Sequence, residues 1–472
     1  MQKLICLFFV TVACIGFSVA EAQQNKKPNV IIIFIDDMGY GDLSSYGNTQ
    51  VQTTNMDALA AKGTRVSQFY VNCPVCSPSR VAMMTGQYPA RHRFYTYLAG
   101  RKKNAENKMP DYLPATVPTL AKLMKANGYA TAHFGKWHLG GGRDVGDAPL
   151  PTEYGFDKTF TSFEGLGDRT LTMADNLNKQ SAELGRGNIV VAPQHKQTEM
   201  YVDSAIAFIQ SHQNQPFLVN LFTNDVHDPY NPADGGAQQY AAVTTNKEQQ
   251  KFLAVLKDLD NQIGRFMTAL KNMNLLENTL IVFTSDNGPT DWPFYYKNGG
   301  EPPCSAGDLR GRKWSLYEGG IREPFFVVWP GKIPAGKVNE KAVMSVVDIV
   351  PTVAALTGVK LPNDYRSDGV DESKVLLGKQ ANEPHDLFWY YNNEPVPGKA
   401  ANISPTLAMR SGKWKLLMEP DGSKKQLYNL EKDHKETTNL VDAEKKITTE
   451  MTKKLAGWYK GVVVGNAPAG MF

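Results

Sequence analysis

The sequence predicts an α/β protein in which helices sandwich a large, mostly parallel sheet, with a smaller antiparallel-sheet subdomain at the C-terminus. Apolar strand-like runs alternate with helical segments along most of the 472 residues, which is typical of a parallel α/β sheet. Continuous apolar runs such as Asn29–Ile35 are typical of strands that are buried on both faces. Beyond about residue 375, short strands joined by turns replace this alternation.

The individual elements are placed by hydrophobic pattern and by flanking residues such as Gly63 and Gly128, which end helices. The strands predicted for the main sheet are Asn29–Ile35, Ala130–Phe134, Phe217–Phe222, Leu280–Thr284 and Phe325–Val328. The helices predicted there are Asn55–Lys62, Thr116–Asn127 and Gln249–Met273. The C-terminal elements are predicted as the strands Leu387–Tyr391, Thr406–Arg410, Trp414–Leu417 and Gln426–Leu430 and the helix Ala443–Gly461.

The N-terminus has the pattern of an export signal. Lys3 precedes the apolar run Leu4–Val19, and Ala20-Glu21-Ala22 offers a small-residue cleavage site. Because the run is short for a membrane-spanning helix, we expect a periplasmic or secreted protein with no span after cleavage; an uncleaved anchor is the alternative. The predicted division is a signal peptide at 1–22, a main domain at 23–375 and a small α+β subdomain at 376–472.

The composition is that of a globular protein, with 42% hydrophobic and 21% charged residues. The net charge is +4, and the sequence has no dense run of Lys and Arg. Nucleic acid is therefore not indicated as a partner, while local cationic pockets for an acidic substrate remain compatible with this charge.

The segment Asn72–Gly86 concentrates chemically useful groups. Pro78 and Ser79 suit the first turn of a helix that ends at Gly86. Cys76 would then lie near the helix N-terminus, where free N–H groups and the dipole favour an anion. Arg80 follows one turn later and adds a permanent cation with several donors. The segment thus predicts a reactive group beside an oxyanion-binding site.

Polar residues follow four of the predicted strands, at the point where each strand ends. Because ligands bind outside the carboxyl ends of parallel strands, we expect these residues to converge on one edge. They are Asp36 and Asp37, then Gly135–Gly140, Asn224–Pro229 and Ser285–Pro289.

The acidic residues at this edge indicate a metal site. Asp36 and Asp37 would repel each other unless a cation lies between them, although a helix cap or solvated turn is the alternative. With Asp286 and Asn287 they form a set of oxygen donors, which favours Ca²⁺ or Mg²⁺ over zinc. A cage of many oxygens suits the larger ion, so Ca²⁺ is favoured over Mg²⁺.

The sequence resembles the type I, formylglycine-dependent sulfatases of the alkaline phosphatase superfamily. The matching blocks, in the family's order, are Asp36-Asp37, Cys76-Ser77-Pro78-Ser79-Arg80, Gly135–Gly140, His227-Asp228-Pro229, Asp286-Asn287-Gly288 and Gly311–Arg322. The resemblance implies an alkaline-phosphatase-like fold and hydrolysis of sulfate esters. It also implies a formylglycine-generating maturation enzyme as a partner, because the motif cysteine is oxidised to an aldehyde in this family.

The resemblance also implies a role for each matching residue. The hydrated aldehyde made from Cys76 would attack sulfur and help to ligate the metal with Asp36, Asp37, Asp286 and Asn287. By the same resemblance, Arg80 would hold the nucleophile, and Lys136 and Lys313 would bind sulfate oxygens. His138 would position or deprotonate the diol, and His227 would protonate the leaving oxygen. Three further histidines lack such placement and are interpreted as structural: His133, His195 and His212.

Cleavage of the signal would leave Cys73, Cys76 and Cys304. An odd count in an exported protein indicates a thiol with a special fate. If Cys76 becomes formylglycine, Cys73 and Cys304 could pair. Half a zinc site or a redox pair at Cys73-x-x-Cys76 is the alternative, which the absence of a second Cys-x-x-Cys in the sequence does not favour.

Export and the family resemblance together favour a sulfated saccharide as substrate, with exo-action on a galactose- or hexosamine-type sugar. Aromatic rings stack on sugar faces, and arginine binds hydroxyls or anions. The candidate substrate-binding residues, all in loops near the matching blocks, are His92, Arg93, Asp168, Arg169, Trp292, Tyr295 and Tyr296.

Two other functions are alternatives to this one. A phosphate or phosphonate ester hydrolase on the same scaffold is the first, but the single hard-metal donor set and the Cys76–Arg80 block argue against it. A non-catalytic glycan-binding protein is the second, and the competent residue at every inferred catalytic position argues against that.

Overall fold

The structure is a computed structural model and describes residues 27–297, 300–383, 385–392 and 398–465. The predicted signal peptide at 1–22 lies outside these residues. In the described part of the chain no helix is both long and apolar enough to cross a membrane. The predicted boundary between residues 375 and 376 stays a prediction, although the strands of a separate small sheet begin at Leu387.

Within the described residues, ten strands form one large sheet in the order β10-β2-β9-β8-β1-β7-β3-β4-β5-β6. The strands are β1 Asn29–Ile35, β2 Thr64–Tyr70, β3 Ala130–Lys136, β4 Lys158–Ser162, β5 Arg169–Leu171, β6 Ile189–Val191, β7 Phe217–Phe222, β8 Thr279–Ser285, β9 Phe325–Val328 and β10 Lys337–Ser345. Only β9 runs antiparallel to its neighbours β8 and β2 in this described sheet. The predicted class, a mostly parallel sheet, is confirmed.

A second sheet is antiparallel throughout, with strands in sequence order. Its strands are β11 Leu387–Tyr390, β12 Leu407–Ser411, β13 Trp414–Met418 and β14 Gln426–Asn429. The predicted C-terminal antiparallel sheet is therefore confirmed.

The helices lie between and around these strands. Their bounds are Thr54–Ala60, Cys76–Thr85, Arg101–Glu106, Leu120–Ala126, Asn176–Glu183, Gln194–Ser211, Lys247–Asn272, Pro293–Tyr296, Glu318–Ile321, Ile349–Thr357, Ser373–Leu376 and Lys445–Trp458. The helix predicted at Thr116–Asn127 begins later, at Leu120, because the Thr119 side chain caps it by accepting from the Lys122 N–H at 3.2 Å.

Strand β1 shows why the large sheet is covered on both faces. Val30, Ile32 and Phe34 belong to one core, while Ile31 and Ile33 belong to the other, as the alternation of side chains in a strand requires. The first core also contains the helix that begins at Cys76 and the buried faces of the small sheet. The second contains the long helices Gln194–Ser211 and Lys247–Asn272.

The four strands predicted to carry functional loops are neighbours in the sheet. Strand β1 pairs in parallel with β8 and β7, and β7 pairs in parallel with β3. Their carboxyl ends therefore lie side by side, and the loops that follow them form one rim.

Candidate active site

The loops after β1 and β8 are joined directly. Ile35 and Ser285 are register partners, and the Asp286 N–H donates to the Ile35 carbonyl at 2.9 Å. The Asp37 N–H donates to Oδ1 of Asp286 at 3.1 Å. The acidic residues predicted at two strand ends are thus held together by backbone hydrogen bonds, although about 250 residues separate them.

The helix Cys76–Thr85 brings the thiol to the same rim. It begins at Cys76 after an extended Val75, and it ends at Gly86, whose φ of 65° is readily adopted by glycine. The Ser79 hydroxyl donates to the Cys73 carbonyl at 2.8 Å and fixes the first turn. The Cys76 side chain is buried, and burial raises the pKa of its thiol, an effect that Lys136 and Lys313 oppose.

Ligand atoms of Asp36, Cys76 and Asp286 all lie within 4.8 Å of one another, and so do those of Asp36, Asp37 and His227. Two buried oxygens at this point, Oδ1 of Asp36 and Oδ1 of Asn287, have no hydrogen-bond partner among the described residues. Orphaned buried oxygens are costly unless a donor or a cation satisfies them. The residues present therefore fit a hard divalent cation.

Arg80 links the helix to the acidic residues. Its Nη2 lies 2.6 Å from Oδ2 of Asp286 and 3.5 Å from Oδ1 of Asp36, and its Nη1 donates to the Lys136 carbonyl at 2.9 Å. The side chain is fully buried, so these contacts fix the guanidinium in one orientation.

Two buried lysines flank the carboxylates. The Lys136 ammonium lies 2.6 Å from Oδ2 of Asp36, and the Lys313 ammonium lies 2.7 Å from both carboxylate oxygens of Asp37. Burial opposes the charge on Asp36, but Lys136 and other cations hold the pKa of its carboxyl below the usual range. The lysines therefore hold positive charge beside Cys76, where an oxyanion could bind.

The two predicted catalytic histidines differ in exposure. His138 is buried, and burial together with Lys136 and Arg80 holds its pKa well below the usual value, which keeps the imidazole neutral. His227 is 30% exposed; its Nδ1 lies 2.5 Å from the Asp228 carbonyl and its Nε2 lies 3.0 Å from the Lys313 ammonium. His227 is thus the histidine that incoming molecules can reach.

A thiol, a cation-binding set of oxygens, three fixed cations and two histidines therefore meet at one rim. The sulfatase family profile matches residues 28–359, which is most of the chain. The chain belongs to the sulfatase family. A second profile, for the C-terminal part of N-sulphoglucosamine sulphohydrolase, matches residues 312–460.

Known sulfatases resemble this chain over most of its length. Arylsulfatase A of Bos taurus is 34% identical over 84% of this chain and 76% of its own sequence. N-acetylgalactosamine-6-O-sulfatase of Bacteroides thetaiotaomicron is 29% identical over 92% of this chain and 94% of its own. The crystal structure of Ps i-CgsB in complex with k-i-k-neocarrahexaose has a TM-score of 0.77 and 28% identity, covering 92% of this chain and 93% of that one.

Two of the predicted substrate-binding residues contact chain neighbours of Lys313 and His227. Trp292 is 42% exposed and packs edge-to-face on Trp314, at 4.9 Å between ring centroids, next to Lys313. The Tyr295 hydroxyl donates to Oδ2 of Asp228 at 3.3 Å, beside His227. Tyr296, in contrast, donates to Asp291.

The other substrate-binding candidates lie in separate local networks. His92 Nε2 lies 2.9 Å from Oε1 of Gln87, Nη2 of Arg93 donates to the Lys108 carbonyl at 2.7 Å, and Oδ1 of Asp168 accepts from Asn188. Arg169 is fully buried, with donors directed to Ser181 and to the Gly167 carbonyl. This geometry does not favour Arg169 for substrate binding, and the roles of the whole group stay predictions.

All three cysteines of the described chain are free and buried. The pairing of Cys73 with Cys304, left open from the sequence, is therefore not present. Cys304 instead lies 3.3 Å from Nη2 of Arg312 and 3.7 Å from the Tyr230 hydroxyl.

Sequence reasoning missed Arg143 and Glu164, which form an ion pair beside His138. Strand β4, which positions Glu164, has the sequence Lys-Thr-Phe-Thr-Ser and therefore lacks an apolar run. The signal that could have found the pair is the placement of Arg143 directly after Gly140-Gly141-Gly142, because a glycine run after a functional block indicates a tight loop beside it.

Proposed function

We propose that this sulfatase is an exo-acting carbohydrate sulfatase that releases sulfate from a galactose- or hexosamine-type sugar. The proposal includes formylglycine made from Cys76, Ca²⁺ as the metal, and export to the periplasm or the medium. The observation that carries it is that ligand atoms of Cys76, Asp36 and Asp286 lie within 4.8 Å of one another. The names of the relatives, which include an N-acetylgalactosamine-6-O-sulfatase, support the substrate class.

Asp36, Asp37, Asp286 and Asn287 would hold the Ca²⁺, together with the modified residue 76. When bound there, the ion offsets negative charge on sulfuryl oxygens. Formylglycine supplies an oxygen nucleophile in place of the thiol. The chain's part is to hold both groups in register, which it does through the Asp37–Asp286 hydrogen bond and the Arg80 contacts.

Lys136 and Lys313 are placed to bind two oxygens of the sulfate ester. Both ammonium groups are nearly completely buried, so their charge acts in a low-dielectric site on an oxyanion that replaces water. Arg80 would hold residue 76, as the family resemblance implies, and it balances the charge of Asp286 at 2.6 Å.

His138 and His227 would serve different proton transfers. Because His138 is kept neutral and its Nδ1 has no partner among the described residues, it can accept a proton from the nucleophile. The Asp228 carbonyl accepts from Nδ1 of His227, so a proton for the leaving sugar oxygen would be delivered from Nε2, which also lies 3.0 Å from the Lys313 ammonium.

Turnover of defined sulfated mono- and oligosaccharides tests the proposal. We expect the purified protein to release sulfate from a galactose- or hexosamine-type substrate and to prefer it over the matching phosphate ester. The intact mass of the Cys76 peptide should show loss of the thiol sulfur. Phosphate preference, unmodified Cys76 in active enzyme, or an unimpaired Cys76→Ala variant would each contradict it.

A further inference from the structure

Arg143 and Glu164 form a partly buried ion pair at the rim. Nε of Arg143 donates to Oε1 of Glu164 at 2.6 Å, with the side chains 22% and 4% exposed. Among the described residues, this is the one hydrogen bond that either side chain makes, and it uses neither Nη1 nor Nη2 of Arg143 nor Oε2 of Glu164. The pair is therefore held by this bond, and the Nη groups of Arg143 and Oε2 of Glu164 remain available to a ligand.

Backbone register places this pair beside the catalytic residues. Lys136 and Ser162 are the last register partners of β3 and β4, and the His138 N–H donates to the Phe163 carbonyl at 3.0 Å. The Phe163 ring then packs edge-to-face on His138, at 4.8 Å between centroids, and lies 4.9 Å from the Lys136 ammonium. Glu164, the next residue, is consequently positioned at the carboxyl end of β4, next to His138.

A second set of contacts reaches the same place from the Cys76 helix. The Ser77 hydroxyl accepts from the Leu98 N–H at 3.0 Å, and the Leu98 carbonyl lies 3.5 Å from Nε2 of His138. Three residues on, the Arg101 N–H donates to Oδ1 of Asp144 at 2.9 Å. The loop from Leu98 to Arg101 thus connects the helix Cys76–Thr85, His138 and the turn that carries Arg143.

The turn itself is tightly constrained. Gly142 and Val145 exchange backbone hydrogen bonds at 3.2 and 2.8 Å, so Arg143 and Asp144 occupy its tip. A Cβ at Gly142 would lie 2.9 Å from Oε2 of Glu164, so a side chain there would crowd the carboxylate. The Arg143 guanidinium is therefore positioned by this turn and by the Glu164 carboxylate.

We propose that Arg143 and Glu164 are specificity-determining residues that together bind two adjacent hydroxyl groups of the sugar that carries the sulfate ester. Arg143 donates from its Nη atoms to one hydroxyl, and the Glu164 carboxylate accepts from the next. Because Glu164 already compensates the charge of Arg143, the pair favours neutral hydroxyls over a second anion. This inference rests on the proposed function and deepens it.

A substrate–variant cycle tests the pair. Sulfate release is measured for one sulfated monosaccharide that the wild type cleaves and for its analogues that each lack one hydroxyl. In the wild type we expect removal of either of two adjacent hydroxyls to raise KM and so lower kcat/KM about 10- to 100-fold. In Arg143→Gln and Glu164→Gln we expect a similar loss with the parent sugar and little further loss with the deoxy analogues.

The matched control is Arg265→Gln, which removes a half-buried arginine paired with Asp203 at 2.5 Å on the two long helices, away from the rim. We expect it to leave kcat/KM unchanged. The melting temperatures of all variants show whether they fold. If Glu164→Gln does not fold, Arg143→Gln alone tests the proposal.

The outcomes separate the two proposals. A wild type that releases no sulfate from any saccharide overturns the proposed function itself. Active variants that discriminate deoxy analogues as strongly as the wild type overturn only the role of Arg143 and Glu164. If the variants lose activity only toward substrates that carry a second sulfate or a carboxylate, the role of Arg143 and Glu164 is also overturned, because Arg143 would then be an anion-binding residue.

Discussion

The ammonium of Lys415 lies 2.8 Å from Oε1 of Glu318, and both side chains are completely buried. Lys415 is on β13 of the small sheet, whereas Glu318 begins the short helix that follows the Lys313 loop. Glu436 lies 2.9 Å from the same ammonium and accepts from the Glu318 N–H at 2.7 Å. The Tyr70 hydroxyl on β2 donates to the other Glu318 oxygen at 2.7 Å. This network fixes the small sheet to the part of the main domain that carries Lys313.

We expect Lys415→Met to lower the free energy of unfolding by about 3–5 kcal/mol, because it removes the ammonium that contacts two buried carboxylates and leaves Glu318 with one ion-pair partner among the described residues, the Arg322 guanidinium at 3.6 Å. Urea denaturation measures the change. Lys413→Met is the matched control, since Lys413 lies two residues earlier and is exposed. Equal losses in the two variants would show that the buried contact does not stabilise the fold.

The sequence predicts the central strands well because their environment leaves little ambiguity. Asn29–Ile35, Phe217–Phe222 and Phe325–Val328 have the predicted bounds, since strands buried on both faces require continuous apolar runs. Strands β2 and β4 were not predicted. Polar residues break the apolar pattern of both strands: those at positions 65, 67 and 68 of β2 are half-buried, whereas Thr159, Thr161 and Ser162 of β4 are buried.

The rim was predictable for a topological reason, and its details were not. Four parallel strands must release their loops at one edge, which places Asp36, Lys136, His227 and Asp286 together. Lys313 precedes the antiparallel strand β9, so the strand-end rule does not place it, and the family resemblance was needed. Pairs such as Glu318 and Lys415 are 97 residues apart, and a single charge in a sequence does not reveal its partner.

Metal binding should stabilise the fold measurably. After treatment with a chelator, we expect added Ca²⁺ to raise the melting temperature, with about 2.7 kcal/mol of stabilisation at one hundred times the dissociation constant. The reason is that the orphaned oxygens of Asp36 and Asn287 gain a partner. Mg²⁺ at the same concentration should stabilise less.

Calorimetric titration of Ca²⁺ into variants locates the site. Asp37→Asn should weaken binding, whereas Asp364→Asn, which changes an exposed carboxylate, should not. Unchanged affinity in Asp37→Asn would place the calcium elsewhere.

His92 should make the protein sensitive to acid. Burial lowers the pKa of His92 from 6.5 to about 4. Between these values the unfolded chain takes up a proton that the folded protein resists, so the contribution to stability is complete above pH 6.5 and is lost as the pH falls toward 4. The loss amounts to about 3 kcal/mol, from 1.36 kcal/mol per pKa unit.

We therefore expect His92→Gln to show a shallower decline of unfolding free energy between pH 6.5 and 4, measured by urea denaturation at a series of pH values. Parallel declines in the wild type and the variant would contradict this. The same variant tests the predicted substrate role, because a contact with the sugar would also raise KM at neutral pH.

Gly135 should be irreplaceable, because it lets β3 approach β7 immediately before Lys136. Its φ is 111°, and a Cβ there would lie 1.8 Å from the Phe222 carbonyl oxygen. Since that atom is backbone, Gly135→Ala must separate the two strands or displace Lys136 from Asp36.

Gly128→Ala is the matched control, because its φ is also positive, at 85°, but no atom lies within 4 Å of the added carbon. We expect the control to cost about 1–2 kcal/mol of backbone strain and to keep sulfate release. Gly135→Ala should cost more than 3 kcal/mol, on the order of the largest single-residue effects, or yield no soluble protein. Comparable melting temperatures for the two variants would mean that the strands can separate at this point without cost, and that Lys136 is not positioned by their close approach.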